Sequence, residues 1–157
     1  MTRFTIRQDD LTDGAIVALL QAHRRQMQRY SPEQSIHALD EAALFSPSLT
    51  FWSARADTLL AGCVALKALS ADSGEIKSMK TAEPYLRQGV AQQLLHTAIV
   101  EARRRHYRCV YLETGTHAAF LPAIRLYTRG KFIPCPPFAD YVEDQFSAFY
   151  QLTLDDQ

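Results

Sequence analysis

Apolar and polar positions alternate from the start of the chain: Phe4 and Ile6 fall between Arg3, Thr5 and Arg7, which predicts a short first strand. Asp9 and Asp10 follow as candidate helix caps, and Ile16, Leu19, Leu20 and Met27 then recur at helical spacing. Ser31-Pro32-Glu33 interrupts that pattern. It predicts a second short helix with Ser31 as N-cap, Pro32 at its first position, and Ile36, Leu39 and Ala43 along it. Apolar runs over 49–56 and 58–69 predict a hairpin turning around Ala56-Asp57, and 75–81 predicts a further strand. The strongest periodicity comes next, with Val90, Ala91, Leu94, Leu95, Ala98, Ile99 and Ala102 on one face of a helix over 88–105. Residues 109–114 predict a buried strand and 119–129 a helix stopped at Gly130. Two closing strands, 132–133 and 147–154, flank a Pro-rich loop at 134–143.

Strand, helix and strand over 75–114 imply a parallel pair with a helical crossover, which places the turn at Gly89 at the carboxyl end of the first strand. Open sheets bind ligands at such ends. A helix start leaves backbone N–H groups unpaired and carries about half a positive charge, so anions settle there. In Leu86-Arg87-Gln88-Gly89-Val90-Ala91 the glycine permits close approach and Arg87 adds a fork of donors suited to phosphate. The six residues alone fit an ordinary loop-to-helix glycine equally well, and their surroundings must decide.

Composition narrows the classes. The chain has 157 residues, 47% of them hydrophobic, which suits a single domain spanning 1–157 with one core. Its 17 basic and 17 acidic residues cancel, which argues against nonspecific nucleic-acid binding, because that depends on clustered cations. Arg103-Arg104-Arg105 sits where a helix should end and complements its dipole. Three cysteines without C-x-x-C spacing argue against a disulfide framework and a structural zinc site, and the five histidines show no metal-ligand spacing, so no metal is expected. No signal-peptide pattern opens the sequence, and no apolar stretch reaches the roughly 18 residues of a membrane span, so a cytoplasmic protein without membrane partners is expected. A Gly-Lys-Ser/Thr nucleotide loop is missing, and one glycine does not make a dinucleotide fingerprint.

With these elements in place, the chain resembles the GNAT family of N-acetyltransferases over nearly its whole length. The family signature places Gly, one residue, then Gly or Ala at the start of the helix after the fourth strand, as Gly89 and Ala91 do here; Leu86 stands where the family has Gln or Arg, with Arg87 one place later. A second feature, Ala-x-x-Leu-Tyr followed by Gly and Phe, appears as Ala123 to Tyr127 with Gly130 and Phe132, Lys131 being inserted. Phe120 occupies the position of a family Asn that touches the pantetheine arm. More narrowly, the stretches 75–81, 112–115 and 135–141 resemble a bacterial, YsnE-like subgroup of acetyltransferases.

The resemblance implies an α+β acyl-CoA N-acyltransferase fold: a mixed, mostly antiparallel sheet whose parallel fourth and fifth strands splay to hold acetyl-coenzyme A, with helices on both faces. It implies that Met79, Lys80 and Thr81 meet pantetheine through backbone groups, that Gln88, Gly89, Val90 and Ala91 seat the pyrophosphate, and that Leu86, Arg87, Phe120 and Tyr127 complete the cofactor site. Acetyl transfer to an amine develops an oxyanion, expels a thiolate and needs a neutral nucleophile. Accordingly the Met79 N–H can polarise the thioester, Tyr127 can protonate the leaving sulfur, and Glu75 or Glu113 can take the amine proton. Strand parity groups Glu75 with Lys77 and Met79, and a salt bridge to Lys77 is the structural alternative for Glu75. His37, His117, Asp140 and Tyr141 are candidates to border the acceptor. The expected activity is direct transfer to a small or amino-acid-like amine, the alternatives being a non-catalytic acyl-CoA sensor and an enzyme for protein lysines or N-termini. Homodimers are common in the family.

Overall fold

The computed structural model describes residues 3–37 and 42–154. One seven-stranded sheet organises them, with strands β1 (Thr5–Asp9), β2 (Leu49–Ala56), β3 (Leu59–Ser70), β4 (Ser73–Thr81), β5 (Cys109–Gly115), β6 (Ile133–Pro134) and β7 (Ser147–Thr153). The spatial order is β1-β2-β3-β4-β5-β7-β6, and β4 with β5 is the parallel pair in an otherwise antiparallel ladder. Helices α1 (Ala15–Met27), α2 (Val90–Arg104) and α3 (Leu121–Arg129) cover it. This is the α+β architecture expected.

Burial follows the alternation of the strands. Val64, Leu66, Ile76, Val110 and Leu112 point to the face covered by α2 and join its buried residues Val90, Leu94, Ala98 and Ala102. Phe51, Cys63 and Ala65 point the other way and pack with Ile16 and Leu20 of α1. Helix α2 lies close on the sheet because Gly62 leaves room: a Cβ there would stand 2.8 Å from the Lys80 carbonyl oxygen and 2.9 Å from Val90 Cγ1.

Local details depart from the pattern in three places. Helix α1 is not capped by Asp9 or Asp10, whose carboxylates accept from the N–H groups of Leu11 and Thr12; Gly14 at φ 78° is the cap, and Asp13 Oδ1 accepts from the Ala15 N–H. Among the described residues, no α-helix follows Ser31 before β2. Pro32 leads only into a 3₁₀ turn, Glu33–Ser35, which ends as Ile36 goes extended; a second turn, Ala43–Phe45, precedes β2, and Leu39 lies outside the described residues. That segment is held by side-chain anchorage, including a bond from the Ser35 hydroxyl to Asp144, more than by its own periodicity. Finally β4 carries a bulge: Cys63 pairs with Lys80 but Ala65 with Lys77, so Ser78 (φ 53°) and Met79 oppose the single residue Val64.

Candidate functional site

Two strands part to make the site. β4 and β5 pair only from Ser73–Cys109 to Ile76–Leu112; beyond that, Lys77 to Thr81 lose their neighbour on the β5 side. Backbone groups at such an edge can accept an added, strand-like ligand. The opening is a cleft of about 740 Å³ lined by Met79, Thr81, Glu113, Phe120 and Tyr127 and reaching Arg87, Gly89, Val90 and Ala91 at the start of α2.

The start of α2 is built to face an anion. Gly89 caps it at φ 85°, no side chain caps the helix, and its first bond runs from the Gln93 N–H to the Gly89 carbonyl, which places the N–H groups of Val90, Ala91 and Gln92 ahead of the ladder. Nothing lies within 4 Å of the place where a Gly89 Cβ would stand. This open end, continuous with a strand-lined cleft, fits a phosphate-bearing ligand with an extended arm.

A polar cluster occupies the other face of the sheet at the same split. Glu75 is 2% exposed, and its Oε2 accepts from the Tyr141 hydroxyl at 2.6 Å and lies 3.3 Å from Lys77 Nζ. Lys77 also donates to the Tyr141 oxygen at 2.8 Å and, at 3.5 Å, to the His37 carbonyl. The Tyr141 ring packs edge-on to His37, so the loop before β7 and the segment after α1 meet over Glu75. Glu113, one position beyond the inward-facing Leu112, has its carboxyl pushed up to about 7, mainly by burial, with the nearby Ser147 hydroxyl and then Lys77 opposing and Glu75 and Asp144 adding repulsion. Burial also raises the Tyr127 phenol, with the Glu113 charge adding to it, and lowers the His37 imidazole.

Comparison with known proteins decides the family. The model of the Acetyltransferase (GNAT) family matches residues 16–131. The chain belongs to the GNAT acetyltransferase family. It is 49% identical over 144 residues to "Uncharacterized N-acetyltransferase YsnE" of Bacillus subtilis, covering 92% of this chain and 95% of that protein. It is 46% identical over 151 residues to "Uncharacterized N-acetyltransferase YedL" of Escherichia coli, covering 96% and 95%. Among solved structures, one from Klebsiella pneumoniae assigned as an acyl-CoA N-acyltransferase superposes with TM-score 0.79 at 26% identity over 97% of this chain and 98% of that one. A GNAT family acetyltransferase from Elizabethkingia anophelis, solved with acetyl-CoA bound, gives TM-score 0.65 at 17% identity over 96% and 98%.

In this acetyltransferase one cleft is lined by Glu75, Met79, Lys80, Thr81, Leu86, Arg87, Gly89, Val90, Ala91, Glu113, Phe120, Tyr127 and His37. Four other candidates are not among the lining residues; one of them, Tyr141, lies over Glu75 as described. The Gln88 side chain turns back to the Pro84 carbonyl, and His117 caps the turn before α3 by accepting from the Ala119 N–H while its ring stacks on Tyr30 at 4.6 Å. Asp140 borders a separate groove with Lys67 and Tyr111. Strand parity also misleads at Met79, which packs with the α2 cluster opposite Glu75 because the bulge inserts a residue. Sequence reasoning misses His23 and Tyr30 of the α1 region, both in the cleft wall. Burial pushes His23 down to about 4, so it is neutral. Nothing in a solvent-facing helical pattern marks them. Among the described residues, no group of three His, Cys, Asp or Glu is placed to hold a metal, and no helix is long and apolar enough to cross a membrane.

Proposed function

We propose that this acetyltransferase takes acetyl-coenzyme A into the β4–β5 split and passes the acetyl group directly to the amine of a small or amino-acid-like acceptor, in a ternary complex. One observation carries the reading: the split joins the two faces of the sheet, with Tyr127 among the α2-side residues and Glu113 on the opposite side of β5. Donor and acceptor can therefore approach one carbon from opposite sides.

When bound, the thioester supplies the activated acyl group. The start of α2 and Arg87 hold its phosphates, and the parted edge of β4 holds the pantetheine arm. The Met79 N–H, turned by the bulge, meets the thioester oxygen where negative charge develops. Tyr127, protonated throughout the neutral range, donates to the departing sulfur. Glu113 takes the amine proton, because its carboxyl titrates near neutrality and its carboxylate is not committed to an ion pair as Glu75 is. The cysteines offer no competing nucleophile: none of the three lines the cleft, and burial pushes Cys63 up to about 12 and raises Cys135.

The test is initial-rate kinetics of free-thiol release with acetyl-coenzyme A and an amine both varied. Intersecting double-reciprocal lines are expected. Parallel lines would show a covalent acyl-enzyme, and tight cofactor binding with no thiol release across a broad amine panel would turn the reading towards a sensor.

A further inference from the structure

The acceptor end of the cleft has an unbalanced set of charges. Lys77 Nζ has three hydrogens and three partners, Glu75 Oε2, the Tyr141 hydroxyl and the His37 carbonyl, at 3.3, 2.8 and 3.5 Å. Its side chain is 9% exposed. An ammonium has three donors and no acceptor, so Lys77 has none to spare for a substrate carboxylate. Foremost among the charges acting on Glu113 are Lys77 on one side and Glu75 and Asp144 on the other, and Lys77 is already committed to Glu75. Of the other cations lining the cleft, Lys80 is bound to Gln26, Arg87 lies near the start of α2 and Arg129 in the last turn of α3. His37 Nε2, like His23 Nδ1, is buried without a hydrogen-bond partner, and both residues line the cleft.

We propose that the acceptor is a primary amine with no carboxylate beside it, entering as an ammonium that pairs with Glu113 and supplies the positive charge this end of the cleft lacks. The inference rests on the transfer reading above and narrows its acceptor class from amino-acid-like molecules to carboxylate-free amines, including diamines. Once paired, the ammonium gives its proton to the Glu113 carboxylate and attacks as the neutral amine; the N–C bond forms, the C–S bond breaks, the thiolate takes a proton from Tyr127, the second proton shed by the acylated nitrogen restores Tyr127, and Glu113 releases its own to solvent. An α-carboxylate in the same position would be desolvated beside two acidic side chains, where Lys77 has no donor left to meet it.

Matched acceptors that differ only in that carboxylate test this: tyramine against tyrosine and isobutylamine against valine, with thiol release followed for each. The amine of each pair is expected to exceed its amino acid in kcat/KM by about a hundred-fold, the scale of a like-charge clash. Tyrosine methyl ester, which keeps the bulk and removes the charge, is expected to behave like tyramine. Equal or faster turnover of the amino acids overturns the proposal, and so does an ester as slow as the free acid. If acetyl-coenzyme A binds but none of these amines is turned over, the transfer reading falls and the proposal with it.

Discussion

Tyr127 and Glu113 divide the proton traffic between the two faces of the sheet, and each can be removed singly. Tyr127→Phe deletes one oxygen and keeps the ring that packs against Phe132 at 5.9 Å. It is expected to lower kcat by about 10² or more while the acetyl-coenzyme A dissociation constant stays within about two-fold, as measured by stopped-flow and calorimetry. For Glu113 the sign of the pH dependence follows from its raised pKa: kcat/KM should climb with pH through about 7 and then level, and Glu113→Gln should abolish that limb. Stability moves the opposite way. The unfolded chain ionises this carboxyl near the ordinary 4.5, so the folded state loses stability as pH rises from there to about 7. Relative to wild type, Glu113→Gln should therefore melt higher at pH 8 than at pH 4 in thermal scans. The sequence names both carboxylates and the neighbouring Lys77 but does not choose between them, because burial and the Tyr141 contact to Glu75 arise from segments distant in sequence.

At the scale of elements, function depends on where α2 begins relative to the gap in the sheet. Gly62 sets that relation by letting the helix approach β3, and a methyl group there meets the Lys80 backbone and Val90 of α2. Gly62→Ala is expected to cost about 1–3 kcal/mol in chemical denaturation and to weaken acetyl-coenzyme A binding, because the helix start must move. Denaturation unchanged within error would show that the packing yields without cost. Helix α2 was legible in the sequence because its apolar stripe is periodic, and the hairpin because its strands are strongly apolar. The bulge at Ser78 and Met79 was not, since no glycine marks it and an extra residue in one strand appears only when its partner is known. The short turns over 33–35 and 43–45 were misread as one helix because anchorage to Asp144, far along the chain, replaces local periodicity.

For the whole molecule, a cofactor bound across β4, β5, α2 and α3 should couple to global stability. At a hundred times its dissociation constant, acetyl-coenzyme A should add about 2.7 kcal/mol, or roughly 5–10 °C in melting temperature for a chain of this size. Desulfo-coenzyme A lacking the thioester should give most of that shift, because phosphates and pantetheine supply most of the contact. The sequence by itself determined the order of elements, the apolar faces, the glycine at the start of α2 and the family, all written in local spacing and short motifs. The tertiary structure decided which groups share the cleft, that Lys77 is committed and Glu113 is not, and that Met79 faces away from Glu75. Those outcomes depend on distance, burial and strand register between segments far apart in the chain, which no local pattern encodes.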